Sequence, residues 1–196
     1  MSARKTCCGC GYLATQCVCP WLPSLATSLQ VVVLQDPKEA EHAKNTVNLL
    51  KLALPSVRCL NAHDGDAIAT FIRSIDVQRW RLIFPTQEAQ AVEMQSASVM
   101  STIDGVILLD ATWRKAKKCY WSHESLQSLQ AWNFACPPES EYVIRKSPDT
   151  NALSTLEACA YIVEQVTGDD MQALRNFMTS AQTWQWRHQP LHHRQK

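Results

Sequence analysis

"GVILLDATWRKAKK", residues 105–118, is the stretch on which the fold turns. An apolar run, Val106–Leu109, ends on an acid, Asp110. Trp113 follows, and then four cations in the five positions from Arg114 to Lys118. A short apolar run bounded by a glycine and an acid reads as a buried strand. Residues 112–131 read as one helix with a mostly polar outer face.

The same alternation extends on both sides. "SLQVVVLQ" (28–35) is rich in β-branched residues and predicts a strand. "PKEAEHAKNTVNLLKLALP" (37–55) opens with a proline suited to a helix start and stops at another, so it predicts a single helix. "SVRCLNA" (56–62) reads as a second strand and "DAIATFIRSI" (66–75) as a short helix. "RLIFP" (81–85) is a third strand, "TQEAQAVEMQSASVM" (86–100) a helix, and residues 105–110 the fourth strand. "EYVIRK" (141–146) predicts the fifth strand, "LSTLEACAYIVEQVTG" (153–168) a helix ended by Gly168, and Asp169–Trp186 the last helix. Strands alternating with helices of this length indicate an α/β protein with a mainly parallel sheet and helices on both faces. Such sheets bind ligands beyond the carboxyl ends of their strands, which puts Pro85, Asp110 and Arg145–Ser147 along one rim.

At 196 residues the chain has room for one sizeable core. Its composition, 46% hydrophobic and 19% charged with formal net charge +1, is that of a folded soluble protein. No run of about eighteen apolar residues is present, so no membrane span is expected. The start, "MSARKTCCGC", lacks the apolar segment of a secretory signal, and an intracellular, cytoplasmic protein is expected. Only five glycines occur, and neither a GxGxxG fingerprint nor a P-loop can be built from them. No acid occurs from Met171 to Lys196, and the tail ends "WQWRHQPLHHRQK". That mixture of cations and rings suits phosphates and base stacking; a solvated helix with a frayed end is the simpler account, since short basic termini are common.

Nine cysteines in a reducing compartment point away from disulfides. Four of them, Cys7, Cys10, Cys17 and Cys19, fall within thirteen residues, with Gly9 and Gly11 permitting the tight turns. Four thiolates at such spacing are a structural zinc arrangement, with Cys8 competing with Cys7 for the first place. A site closed by four thiolates leaves no position for a substrate, so its role is structural or RNA-positioning. Residues 1–20 are therefore set apart as a zinc-binding segment preceding a domain of residues 21–196. Cys59, Cys119, Cys136 and Cys159 lie in periodic segments and read as core.

Asp110 stands where a buried strand gives way to a helix. An acid there can accept a proton, or it can cap the helix, a task Thr112 could share. Cations in the first turns of a helix oppose its macrodipole unless anions are recruited, so Arg114, Lys115, Lys117 and Lys118 suggest a docking surface for a polyanion. In "RKSPDTNALSTLEA" (145–158), Ser154 and Glu157 have capping-box spacing, and the helix start could also wrap a ligand.

The four-cysteine cluster, "DPKEAEHAKNT", "LIFPTQEA", "DATW" before a lysine-rich helix, and "KSP" then "LSTLEA" occur in that order, and together they resemble the DTW-domain family over nearly the whole chain. The Asp-Thr-Trp signature is matched by Asp110, Thr112 and Trp113. One departure is visible: "DPKE" stands where a histidine would precede the proline. The resemblance implies a tRNA-uridine aminocarboxypropyltransferase related to the SPOUT class. Such an enzyme moves the 3-amino-3-carboxypropyl group of S-adenosylmethionine to N3 of a tRNA uridine and leaves methylthioadenosine. It further implies a knotted C-terminal half, with donor-holding loops around Leu82–Thr86, Leu109–Trp113 and Ile144–Leu156. On that footing Asp110 is the expected base. Phe84, Pro85, Leu109, Thr112, Trp113, Leu153, Ser154, Thr155 and Glu157 are expected to line the donor pocket. Trp113 stacks on the target base or on adenine, or else is core. Arg114, Lys115, Lys117, Lys118, Arg145 and Lys146 are expected on tRNA phosphates, and a monomer is expected. Two other classes use the same features: a SPOUT-type RNA methyltransferase and a non-catalytic zinc-containing RNA-binding module.

Overall fold

Val31, Val32 and Val33 are all buried. Successive side chains of a strand point to opposite faces, so three in a row can be buried only if the sheet is covered on both sides. The computed structural model, which describes residues 5–144 and 152–188, has that architecture. Its elements begin with β1 (Gln30–Gln35), α1 (Pro37–Ala40), α2 (Thr46–Ala53), β2 (Arg58–Asn61), α3 (Gly65–Arg73), β3 (Trp80–Ile83) and β4 (Gln90–Ala91). They continue with α4 (Ala97–Met100), β5 (Gly105–Asp110), α5 (Trp113–Ser122), α6 (Glu124–Gln127), β6 (Gln130–Asn133), α7 (Thr155–Thr167) and α8 (Gln172–Gln185).

The six strands form one sheet in the order β2-β1-β5-β3-β6-β4, with every described pairing parallel. Val31, Val33, Val106 and Leu108 face α2, α7 and α8 and build one core. Val32, Leu34, Leu82 and Ile107 face α3, α5 and α6 and build the other. From β1 the chain moves to β2 on one side, whereas β3 lies on the other side with β5 inserted between. The strand order therefore reverses beside β1, and the crevice at the carboxyl ends of β1 and β5 is where such sheets hold ligands.

Gly105 opens β5 opposite Trp80, and a Cβ there would meet the indole at 2.5 Å. Gly105→Ala must displace a buried ring, an overpacking cost of about 1–3 kcal/mol. For a chain of this size that is a fall of several degrees in melting temperature. An unchanged melting temperature would show that Trp80 is not held there.

Four stretches differ from the sequence reading. The single helix predicted over 37–55 is two, because Asn45 accepts the N–H of Val47 at 2.7 Å and starts α2 anew. The helix predicted over 86–100 is replaced by β4, a 3-10 turn at Val92–Met94, and α4. Gln90 and Ala91 pair with β6, and Glu93 takes the backbone N–H groups of Ala135 and Cys136, so the segment is committed to neighbours distant in sequence. The helix predicted over 112–131 stops at Ser122; His123 is extended and its Nε2 meets the Ala62 carbonyl at 3.1 Å. The last part of that stretch becomes β6. Finally, residues 141–144 of the predicted fifth strand are not a strand. The Glu141 N–H goes to the Glu157 carboxylate, the Tyr142 N–H to Ser140 Oγ and the Val143 N–H to the Glu141 carbonyl, so these three donors are taken from a ladder. Arg145 and Lys146 lie outside the described residues. The helix after Ser154 has the predicted capping box and ends at Gly168 with φ 74°.

Candidate functional site

Asp110 ends β5 in register with Gln35, the last residue of β1, so it sits at the strand-order reversal. Its side chain is 8% exposed. Gln35 Nε2 donates to Oδ2 at 2.9 Å, and Thr155 Oγ1, from the first residue of α7, donates to Oδ1 at 2.6 Å. Gln35 Nε2 also lies 3.4 Å from Asn45 Oδ1, the cap of α2. Strand alternation turns the Asp110 side chain toward α7, away from α5. It therefore does not cap α5: Thr112 is the N-cap, and it makes no side-chain capping bond. A buried carboxylate held by two neutral donors keeps acceptor capacity for a third partner.

Ser154 and Thr155 accompany Asp110 on this side, with Leu153 packed against the first core. Glu157 is buried, and its carboxylate is occupied by Ser140 Oγ, the Glu141 N–H and the Ser154 N–H. It clasps the 140–141 segment to the start of α7. Arg145, Lys146 and the rest of the 145–151 segment lie outside the described residues.

The other predicted positions fall on the opposite side of the β5 end. Phe84 is buried in the second core, 6.2 Å from the Trp113 ring and 5.6 Å from that of Tyr120. Pro85 is exposed beside it, and Leu109 packs against the same core. Trp113 is half exposed rather than a core residue, and Arg114, Lys117 and Lys118 are exposed on α5. A cavity of about 560 Å³ opens next to them, lined in part by Asp36, Lys38, His63, Arg114, Lys115 and Lys118. Neither Asp110 nor residues 153–157 line it.

Sequence reasoning missed the polar centre of that cavity. Asp36, 2% exposed, receives Lys115 Nζ at 2.8 Å, the Lys38 N–H at 3.0 Å and His63 Nε2 at 3.0 Å. Burial alone would raise the Asp36 carboxyl, but the Lys115 ammonium and the Lys38 N–H outweigh it and hold it below the usual carboxylate range. The ion pair is therefore present above the unfolded carboxylate range and is lost only as acid protonates Asp36. Lys115 is thus drawn inward, unlike its three basic neighbours. Asp36 follows β1 and His63 follows β2, so the rim rule that singled out Asp110 could have found both. Cys119 also lines the cavity, but burial and the Asp36 charge push its thiol up to about 11, so it is no nucleophile at neutral pH.

At the N-terminus the sulfurs of Cys7, Cys10, Cys17 and Cys19 all lie within 4.8 Å of one another, and Cys8 stays outside the group. Sulfurs bound at about 2.3 Å to one tetrahedral ion are about 3.8 Å apart. Here Cys7–Cys19 is 3.7 Å, Cys10–Cys17 3.8 Å and Cys7–Cys17 3.4 Å, so the donor set fits such an ion. Backbone N–H groups of Cys10 and then Gly9 push the Cys7 thiol down to about 6. The Cys7 N–H binds the Tyr12 carbonyl at 2.7 Å, and Gly11 takes φ 74° to close the turn. Val18 is wholly buried, and Trp21 lies 5.6 Å from Trp184 of α8, which docks the segment on the body. The described arginines of the acid-free tail are used internally. Arg175 pairs with Glu164, and Arg187 covers Trp184 at 3.5 Å while donating to the Thr15 carbonyl at 2.9 Å. Among the described residues no helix is long and apolar enough to cross a membrane.

A protein-family model described as "DTW domain" matches residues 4–185. The chain is 30% identical over 165 residues to "tRNA-uridine aminocarboxypropyltransferase 2" of Drosophila melanogaster, covering 80% of this chain and 64% of that one. It is 30% identical over 169 residues to the Mus musculus protein of the same name, covering 80% and 55%. With "tRNA-uridine aminocarboxypropyltransferase A" of Arabidopsis thaliana it shares 24% identity over 208 residues, covering 90% and 78%. The chain thus spans less than two thirds of the length of the two animal proteins. No solved structure matches it.

Proposed function

This chain belongs to the DTW domain family, and from that premise we propose that it transfers the 3-amino-3-carboxypropyl group from S-adenosylmethionine to N3 of a uridine in tRNA, releasing methylthioadenosine. The observation that carries the proposal is Asp110: the acid of the family's signature, buried at the strand-order reversal, with its oxygens fixed by Gln35 and Thr155. The names of the relatives support the substrate and the reaction.

Uridine N3 carries a proton and is a weak nucleophile until it is lost. Asp110 takes that proton as general base, and the Gln35 and Thr155 donors keep its oxygens aimed while it does so. S-adenosylmethionine supplies a sulfonium-activated carbon as the electrophile. Leu153, Ser154 and Thr155 on the Asp110 side, and Phe84, Pro85, Leu109, Thr112 and Trp113 across the β5 end, are the residues assigned to hold it between them, and Glu157 acts behind the first group by clasping the segment before α7. Positioning accounts for much of the rate, since displacement at carbon needs an in-line approach. Arg114, Lys117 and Lys118, with Arg145 and Lys146, contact tRNA phosphates. Lys115, already paired with Asp36, braces the start of α5 beneath them.

The proposal includes a SPOUT-like knot in the C-terminal half of the domain spanning residues 21–196, a structural zinc ion on Cys7, Cys10, Cys17 and Cys19, and a cytoplasmic monomer. Chromatography of the spent donor tests the reaction class. Methylthioadenosine formed only when tRNA is present is the expected result. S-adenosylhomocysteine instead would make the protein a methyltransferase, and an unspent donor would leave an RNA-binding module.

A further inference from the structure

Two tryptophans at the ends of α5 stand in water: Trp113 is 48% exposed and Trp121 69% exposed. A large apolar ring left in solvent forgoes burial that a single leucine-sized replacement would not need, so a pair of them on one helix calls for a partner. The rings are not scattered. Trp121 packs edge-on against Tyr120 at 5.1 Å, Tyr120 lies 5.6 Å from Phe84, and Phe84 lies 6.2 Å from Trp113. Phe84 is buried in the second core, so the run is anchored at its middle and open at both ends.

Cations flank the rings. Residues advance about 100° per position around a helix, which puts Trp113, Lys117 and Tyr120 on one side, Arg114 and Lys118 on the other, and Trp121 on the crest between them. No acid occurs in α5. Among the described residues no carboxylate pairs with Arg114, Lys117 or Lys118, while Arg114 and Lys118 border a cavity that also presents Lys38, His63 and His123. Flat rings beside unpaired cations complement a chain of bases and phosphates.

The spacing selects the form of the nucleic acid. Trp113 and Trp121 are eight residues apart, about 12 Å along the helix axis. Stacked bases repeat at about 3.4 Å, and a duplex hides the base faces that a ring must cover. Only an opened-out strand offers faces to both tryptophans. The chemistry agrees: N3 of uridine is the atom that pairs in a duplex, so its alkylation requires an unpaired base.

Resting on the RNA reading above, we infer that Trp121 and Tyr120, together with Trp113, form a stacking track for an unpaired stretch of the RNA substrate, whose phosphates lie on Arg114, Lys117 and Lys118. Nothing in the signature motif assigns Trp121 or Tyr120.

The test uses the full chain with fluorescein-labelled oligouridine, alone or annealed to oligoadenine, titrated at several salt concentrations. The parent is expected to bind the unpaired strand more tightly than the duplex. Trp121→Ala should weaken binding of the unpaired strand about tenfold with the salt slope unchanged, and Trp121→Phe should restore most of it. The Lys117→Ala, Lys118→Ala double variant should instead weaken both ligands and lower the salt slope by about two. Parent-like binding by Trp121→Ala, or equal losses on strand and duplex, overturns the track. Failure of the enzymatic reading is distinguishable: a parent that binds in the expected pattern but never spends S-adenosylmethionine on tRNA keeps the track and loses the transferase.

Discussion

Asp110→Asn is expected to lower aminocarboxypropyl transfer by about two to four orders of magnitude, the usual contribution of a general base, while tRNA and donor binding stay close to the parent. The substitution preserves shape and removes only basicity. Both partners of the carboxylate are donors, Gln35 Nε2 at 2.9 Å and Thr155 Oγ1 at 2.6 Å. An asparagine amide would meet one of them with its own N–H groups. The Gln35 amide can turn over and the Thr155 hydroxyl can rotate, so each can change from donor to acceptor. The melting temperature should therefore move little, which separates loss of chemistry from loss of fold. Single-turnover transfer rates checked beside thermal melts give both quantities. A variant with parental turnover would leave Asp110 a tie between β1, β5 and α7 and nothing more.

Loss of the metal should be the larger effect on stability. The protein is expected to carry one zinc per chain, and Cys10→Ser or Cys17→Ser should lose it. Their sulfurs are 3.8 Å apart within a group whose turns hold it together through only a few backbone bonds. Without the ion the thiolates repel and the segment opens. Val18 then leaves the core and Trp21 leaves Trp184. Exposing two such side chains costs about 4 kcal/mol, which for a chain of this length is about 10 °C in melting temperature. The sheet should survive, because β1, β5 and β3 draw their burial from helices elsewhere. Metal analysis of each variant with far-ultraviolet circular dichroism checks this. Zinc-free protein melting at the parental temperature would separate the cluster from stability.

What the sequence revealed depended on how local the cause was. β1 and β5 were legible because runs such as Val31–Val33 admit only a sheet covered on both faces. The cysteine group was legible because its four ligands fall within thirteen residues. β6 was not: of Gln130–Asn133 only Ala131 and Trp132 are buried, too short a pattern to interrupt a helical reading. "EYVIRK" misled for the converse reason, since its apolar alternation suits a strand but the N–H groups of Glu141 and Tyr142 are claimed by Glu157 and Ser140. Asp110 could be placed from the rim rule alone. Its orientation toward Thr155, 45 residues away, and the grouping of Asp36 with His63 and Lys115, 27 and 79 residues away, follow only from the order of the strands.

The central claim is tested most directly on the RNA product. Purified protein is incubated with unmodified tRNA and S-adenosylmethionine, the RNA is digested, and its nucleosides are separated by mass spectrometry. The account predicts a uridine carrying the 3-amino-3-carboxypropyl group at N3, absent with Asp110→Asn. Methylated nucleosides, or tRNA returned unchanged by protein that binds it, would contradict the account.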